Sequence, residues 1–124
     1  MSNIATTISQ SRKLIELGLN PATADMKYVY FGETDYGLEI ANEFDDRINK
    51  FFNAITVPAW SLSALLEVMP KPDLYRELAD LWVCATLFKE GSIMGFGETA
   101  IDAAYDAITK MFDRGYLKKK GGKQ

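Results

Sequence analysis

The residues predict an α+β fold in which a small, mostly antiparallel sheet packs against three or four helices. Three observations predict it. Gly97 to Leu117 carries a helix whose start, apolar face and stop are all written in the residues. Met26 to Phe31 and Tyr36 to Ile40 are short runs rich in aromatic and branched residues, separated by turn-forming Gly32-Glu33-Thr34-Asp35. Ser61 to Met69 is a leucine-rich run closed by Pro70 and Pro72.

Taken in order, residues 7–17 read as a first helix. Thr7 and Gln10 have capping-box spacing, Ile8, Leu14, Ile15 and Leu17 supply the apolar set, and Gly18 ends it. Asn20-Pro21 is a cap followed by proline at a first helical position, so 21–24 is one short turn. The 26–31 and 36–40 runs form a hairpin with Tyr36, Leu38 and Ile40 on one face. Asn42 caps a helix through about Ala54 with Phe44, Ile48, Phe51, Phe52 and Ile55 at helical spacing, and Pro58 breaks it. Ser61 caps the leucine-rich helix, whose apolar width predicts the most buried element.

Residues 74–90 satisfy two periods at once. Leu74, Leu78, Leu81, Trp82, Ala85 and Phe88 fit a helix, whereas Leu81, Val83, Ala85 and Leu87 fit a strand. The content of LWVCATLF favours a strand for 81–88, while Glu77, Leu78 and Ala79 are good helix formers. Gly91-Ser92 and Gly95-Phe96-Gly97 read as loop. The closing helix starts at Thr99, with Asp102 three residues on, and places Ile101, Ala104, Tyr105, Ile108, Met111 and Phe112 on one side. Glu98 and Asp102 near its start and Lys110 and Arg114 near its end suit the helix dipole, and Gly115 can turn left-handed.

A chain of 124 residues, 48% hydrophobic and 25% charged, suits a single domain over 1–117 followed by a basic, disordered tail, 118–124. One cysteine, Cys84, excludes an internal disulfide, and the absence of histidine removes the commonest metal ligand and general base. No stretch approaches a membrane span and the first residues lack a signal-like run, so the expected compartment is the cytoplasm. A net charge of −3 argues against a nonspecific nucleic-acid binder apart from the tail.

Three stretches carry a resemblance: LGLNPATADM at 17–26, VPAWSLSALLEVMP at 57–70 and TAIDAAYDAITKMFDRGYL at 99–117. In their order and motifs they resemble a group of small proteins encoded by phages and mobile elements of gut bacteria. The resemblance implies a shared fold, with strands ahead of the last helix, and a phage or mobile-element setting. It brings no catalytic residues with it.

No residue constellation specifies chemistry. The acidic candidates for a metal, Asp45-Asp46, Glu33-Asp35 and Asp102-Asp106, lack a ligand-loop motif and read as solvated faces. Cys84 has no histidine to serve as its base and reads as core. Gly95-Phe96-Gly97 ahead of a helix invites a phosphate cradle, but there is no P-loop lysine, and Glu98 and Asp102 would repel the anion. With no catalytic, cofactor or metal residues in view, the expectation is a non-enzymatic accessory or protein-interaction module that binds a protein partner or a second copy of itself. The candidate contacts are Tyr28, Tyr30 and Tyr36, an aromatic strip that one face of the hairpin leaves open. The alternative is a nucleic-acid accessory protein using Lys118, Lys119, Lys120 and Lys123 together with exposed aromatics. A carboxylate-dependent hydrolase is a third reading and requires Glu33, Asp35, Asp45 and Asp46 to converge.

Overall fold

In the computed structural model, which describes residues 4–30, 37–40, 55–89 and 91–116, helix α1 (Ile8–Leu17) is closed at both ends by local hydrogen bonds. Thr7 and Gln10 form the expected capping box. Gly18, at φ 111°, donates its N–H to the carbonyls of Leu14 and Ile15. A 3₁₀ turn at Pro21–Thr23, capped by Asn20, leads into β1 (Met26–Tyr30). Strands β2 (Gly37–Ile40) and β3 (Ile55–Ala59) pair antiparallel on either side of β1. Then follow α2 (Leu62–Val68), β4 (Asp73–Leu78), β5 (Leu81–Phe88), β6 (Gly91–Gly97) and α3 (Ala100–Asp113).

The class is α+β, as expected, but the strands divide into two antiparallel sheets, β2-β1-β3 and β4-β5-β6. The hairpin of 26–31 with 36–40 forms as β1–β2, with Tyr28 opposite Leu38. The helix expected over 42–54 lies outside the described residues. Its last apolar position, Ile55, instead starts β3, and Pro58 sits within that strand rather than marking a helix end. Proline is tolerated there because β3 is an edge strand among the described residues, with one side outside the ladder to β1. The doubly periodic stretch 74–90 contains no helix among its described residues: β4 and β5 form a hairpin turning at Ala79-Asp80, so strand content prevailed over the helix-forming Glu77 and Leu78.

The main departure concerns 91–97. These residues are not a loop. They form the strand β6, which pairs with β5 from Phe88–Gly91 to Trp82–Gly97. Gly95 and Gly97 punctuate no turn; they let α3 lie against the strand. A Cβ on Gly95 would overlap the backbone of Ala103 and Ala107, and one on Gly97 would lie 2.5 Å from Asp102 Cβ. The matching helix face is made of Ala103, Ala104 and Ala107, all fully buried. Ala103 and Ala107 escaped the apolar stripe read from the sequence because a small side chain adds little to a hydrophobic pattern. The most buried element is accordingly α3 and not the leucine-rich α2. It buries Ile101, Ala103, Ala104, Ala107, Ile108 and Met111, whereas α2 buries Ala64 and Leu65 and leaves Leu62, Leu66 and Val68 half-covered.

Trp60, wholly buried, ties the first half of the chain to this core. Its N–H donates to Thr6 Oγ1 at 3.1 Å, its carbonyl accepts from Thr6 N–H at 2.9 Å, and its indole N–H donates to Thr23 Oγ1 at 2.9 Å. Beside it, Asp25 accepts from the backbone N–H and the hydroxyl of Ser61, the residue whose Oγ caps α2. Thr6 Oγ1 also bonds Ser11 Oγ at 2.8 Å, so these two buried hydroxyls are satisfied. Two motif stretches singled out in the sequence, PATAD and PAWS, are thus hydrogen-bonded to each other.

Two substitutions test this frame by urea unfolding. Gly95→Ala forces a methyl group into helix backbone and is expected to lower stability by about 3 kcal/mol or more, whereas Ser92→Ala on the exposed part of the same strand is near neutral. Asp25→Ala removes both bonds to Ser61 and is expected to cost about 1–2 kcal/mol.

Candidate interaction surface

Strands β4, β5 and β6 present two faces, assigned by the ladder because residues directly opposite one another share a face. Leu74, Cys84 and Gly95 form one row of the inner face, and Trp82–Gly97 and Thr86–Ile93 extend it against α3. The outer face carries the intervening rows: Tyr75, Val83 and Phe96; Asp73, Ala85 and Met94; and Leu87 with Ser92. Val83, flanked by the two aromatic residues of its row, is buried. Tyr75, Leu87, Met94 and Phe96, with Leu78 at the end of β4, are between 37% and 66% exposed. Scattered apolar side chains on a surface are ordinary, but several on one face are not.

Both edges of this sheet are closed to further strands. Along β6, Asp106 accepts from Phe96 N–H at 3.0 Å, and Lys110 Nζ donates to the Met94 carbonyl at 3.0 Å. The same ammonium pairs with Asp106 at 3.0 Å and lies 5.0 Å from the centroid of the Phe96 ring, so it sits at the rim of the outer face. Along β4, Pro72 precedes the strand, Asp73, Arg76 and Glu77 are exposed, and the register breaks between Arg76 and Leu78. Proline, charge and irregularity of this kind blunt an edge.

The residues singled out from the sequence are distributed differently. Tyr28 is half-buried in β1 and its hydroxyl donates to the Thr6 carbonyl at 2.7 Å; burial raises its pKa above the ordinary phenol value. On its own face stand the buried Val57 and Ala59, opposite Tyr28 and Met26. Tyr30 closes β1 opposite Ile55. Tyr36, Lys118, Lys119, Lys120 and Lys123 lie outside the described residues, as do Glu33, Asp35, Asp45 and Asp46. Of the named tyrosines and lysines only Tyr28 and Tyr30 fall among the described residues, two positions apart in β1 and so on one face of that strand. The outer face of β4-β5-β6 was missed because GFG read as loop; the alternation of Ile93, Gly95 and Gly97 with Met94 and Phe96 is the signal that marks a strand there.

The remaining chemical candidates have structural duties. Thr99 Oγ1 accepts from Asp102 N–H at 3.1 Å as the cap of α3, and Asp102 Oδ1 accepts from the Gln10 side chain at 2.9 Å. Cys84 is fully buried, with its Sγ 3.8 Å from Met69 Sδ. Burial, helped by the charge of Asp73, pushes its thiol from 9.0 up to about 11. An open groove of about 680 Å³ runs past the start of α3, lined by Leu62, Ser63, Arg76, Trp82, Glu98 and Ile101. Its one guanidinium is engaged with the Ala79 carbonyl, at 3.1 Å from Nη2. Among the described residues no group of three or more acidic or cysteine side chains is placed to hold a metal ion, and no helix is long and apolar enough to cross a membrane. Comparisons with protein-family models, curated proteins and solved structures found no match.

The raised thiol pKa has a definite sign. The folded state holds the Cys84 proton more tightly than the unfolded chain, so its contribution to stability is complete below about pH 9 and is lost as pH rises through about 11. Tyr28 and Tyr105, both raised by burial, add to the same alkaline loss. Urea midpoints are expected to fall above pH 9, and a disulfide reagent at pH 8 is expected to label Cys84 rapidly only once the chain is denatured.

Proposed function

We propose that the chain is a non-enzymatic protein-interaction module that works through the outer face of β4-β5-β6 in a phage or mobile-element programme. The observation that carries this reading is the clustering of Tyr75, Leu87, Met94 and Phe96 on one sheet face beyond two closed edges. Water contact with so many apolar side chains is unfavourable by about 25 cal/mol per Å², so covering them by a partner is a direct source of affinity. The roles of Asp102, Asp106 and Cys84 support a non-catalytic reading, since each is committed to a cap, a strand edge or the core. The family resemblance supplies the genomic setting. A single buried cysteine suits the reducing conditions of a cytoplasm.

The test compares the native chain with Leu87→Asp and Phe96→Asp, each checked by circular dichroism for an intact fold. The immobilised native chain is expected to retain a protein from its host, or a further copy of itself, and both variants to lose it. Retention by neither, or retention that both variants preserve, overturns the reading.

A further inference from the structure

We infer that the surface proposed above is occupied by a second copy of this chain, packed outer face to outer face about a two-fold axis parallel to the strands and passing along β5. This inference rests on the reading of that face as an interaction surface and names its partner. Charge placement selects the partner. Asp73 is the one charged residue within the three rows of the outer face and lies on its β4 side. It has no hydrogen-bond or ion-pair partner among the described residues. Lys110 is the cation at the opposite rim, held on the Met94 carbonyl, and Met94 lies in the same cross-strand row as Asp73. An ammonium has three donors; two are used by Met94 and Asp106, and the third has no partner among the described residues.

A two-fold axis parallel to the strands lays β4 of each copy over β6 of the other without shifting the rows. Asp73 of one copy then meets Lys110 of the other, twice by symmetry, while Leu87, Ala85, Met94 and the aromatic residues Tyr75 and Phe96 are covered between them. The other face-to-face arrangement, with the axis perpendicular to the strands, stacks β6 on β6 and brings the two Lys110 ammoniums to the same rim. Like charges in that position oppose association. Extension of the sheet edge to edge is excluded by the blunted β4 and the sealed β6. The sandwich therefore buries the apolar rows and pairs the charges, which neither alternative does.

The experiment is sedimentation velocity on the full chain over a wide dilution series, with charge reversals combined in trans. The native chain is expected to sediment as a dimer that dissociates on dilution. Asp73→Lys alone and Lys110→Asp alone are each expected to weaken it by about tenfold or more, and Leu87→Asp to abolish it. An equimolar mixture of D73K and K110D chains is expected to recover the dimer, since each mixed pair restores both attractions. Because Lys110 also holds the β6 edge, thermal melts accompany K110D, and D73K, whose site is exposed, carries the comparison if K110D is unstable. A native chain that stays monomeric, a dimer indifferent to D73K and L87D, or a mixture that fails to recover overturns the inference. A monomer that nevertheless captures a different host protein through Leu87 leaves the interaction reading standing and removes only the second copy.

Discussion

The close approach of α3 to β6 is the constraint on which the rest of the structure depends. Helix backbone at Ala103 and Ala107 lies where a side chain of Gly95 would otherwise be, so strand and helix meet without intervening side chains. This fit requires small residues on both partners at once, and it positions the larger Ile101, Ile108 and Met111 to fill the space toward β5, α2 and α1. Interiors packed to this density relax poorly when volume is added. The contact also decides which way β6 faces: with Ile93, Gly95 and Gly97 toward the helix, alternation sends Met94 and Phe96 outward.

That orientation gives β5 and β6 apolar residues on both faces, a pattern expected of strands covered on two sides. The edges have been secured by side chains of α3 on one side and by charge, proline and a register break on the other. With both edges protected, the open apolar area lies on the face of the sheet and not along a strand that could accept another. Lys110 joins the two features, because the ammonium that seals the β6 edge also lies against the Phe96 ring.

The stretches 17–26, 57–70 and 99–117 are joined by specific contacts. Thr23 and Asp25 hold Trp60 and Ser61 across more than thirty residues of chain, and the Ile-Asp-Ala-Ala stretch supplies the Asp102 N–H that donates to the Thr99 cap together with Ala103 and Ala104 of the small face of α3. These motifs specify how the chain closes on itself. The exposed apolar face lies outside them, in 73–96.

By itself the sequence determined what is local. Thr7 with Gln10, Asn20, Ser61 and Thr99 each marked a helix or turn start, since a cap acts over two or three residues. The α+β class, the β1–β2 hairpin and the strand at 81–88 were legible for the same reason, as runs of β-forming residues between turn signals. Tertiary structure decided everything that depends on what lies across from a residue. A glycine reads as a turn until a helix backbone is found against it, and Glu77-Leu78-Ala79 reads as helix until β4 is found paired with β5 and turning at Ala79. The leucine-rich α2 looked the most buried element because large side chains dominate a hydrophobic pattern, although alanines gave α3 the closer contact. An aromatic or aliphatic residue on a strand looks the same whether it faces the core or water, and only the pairing of β4, β5 and β6 with α3 separated the two faces.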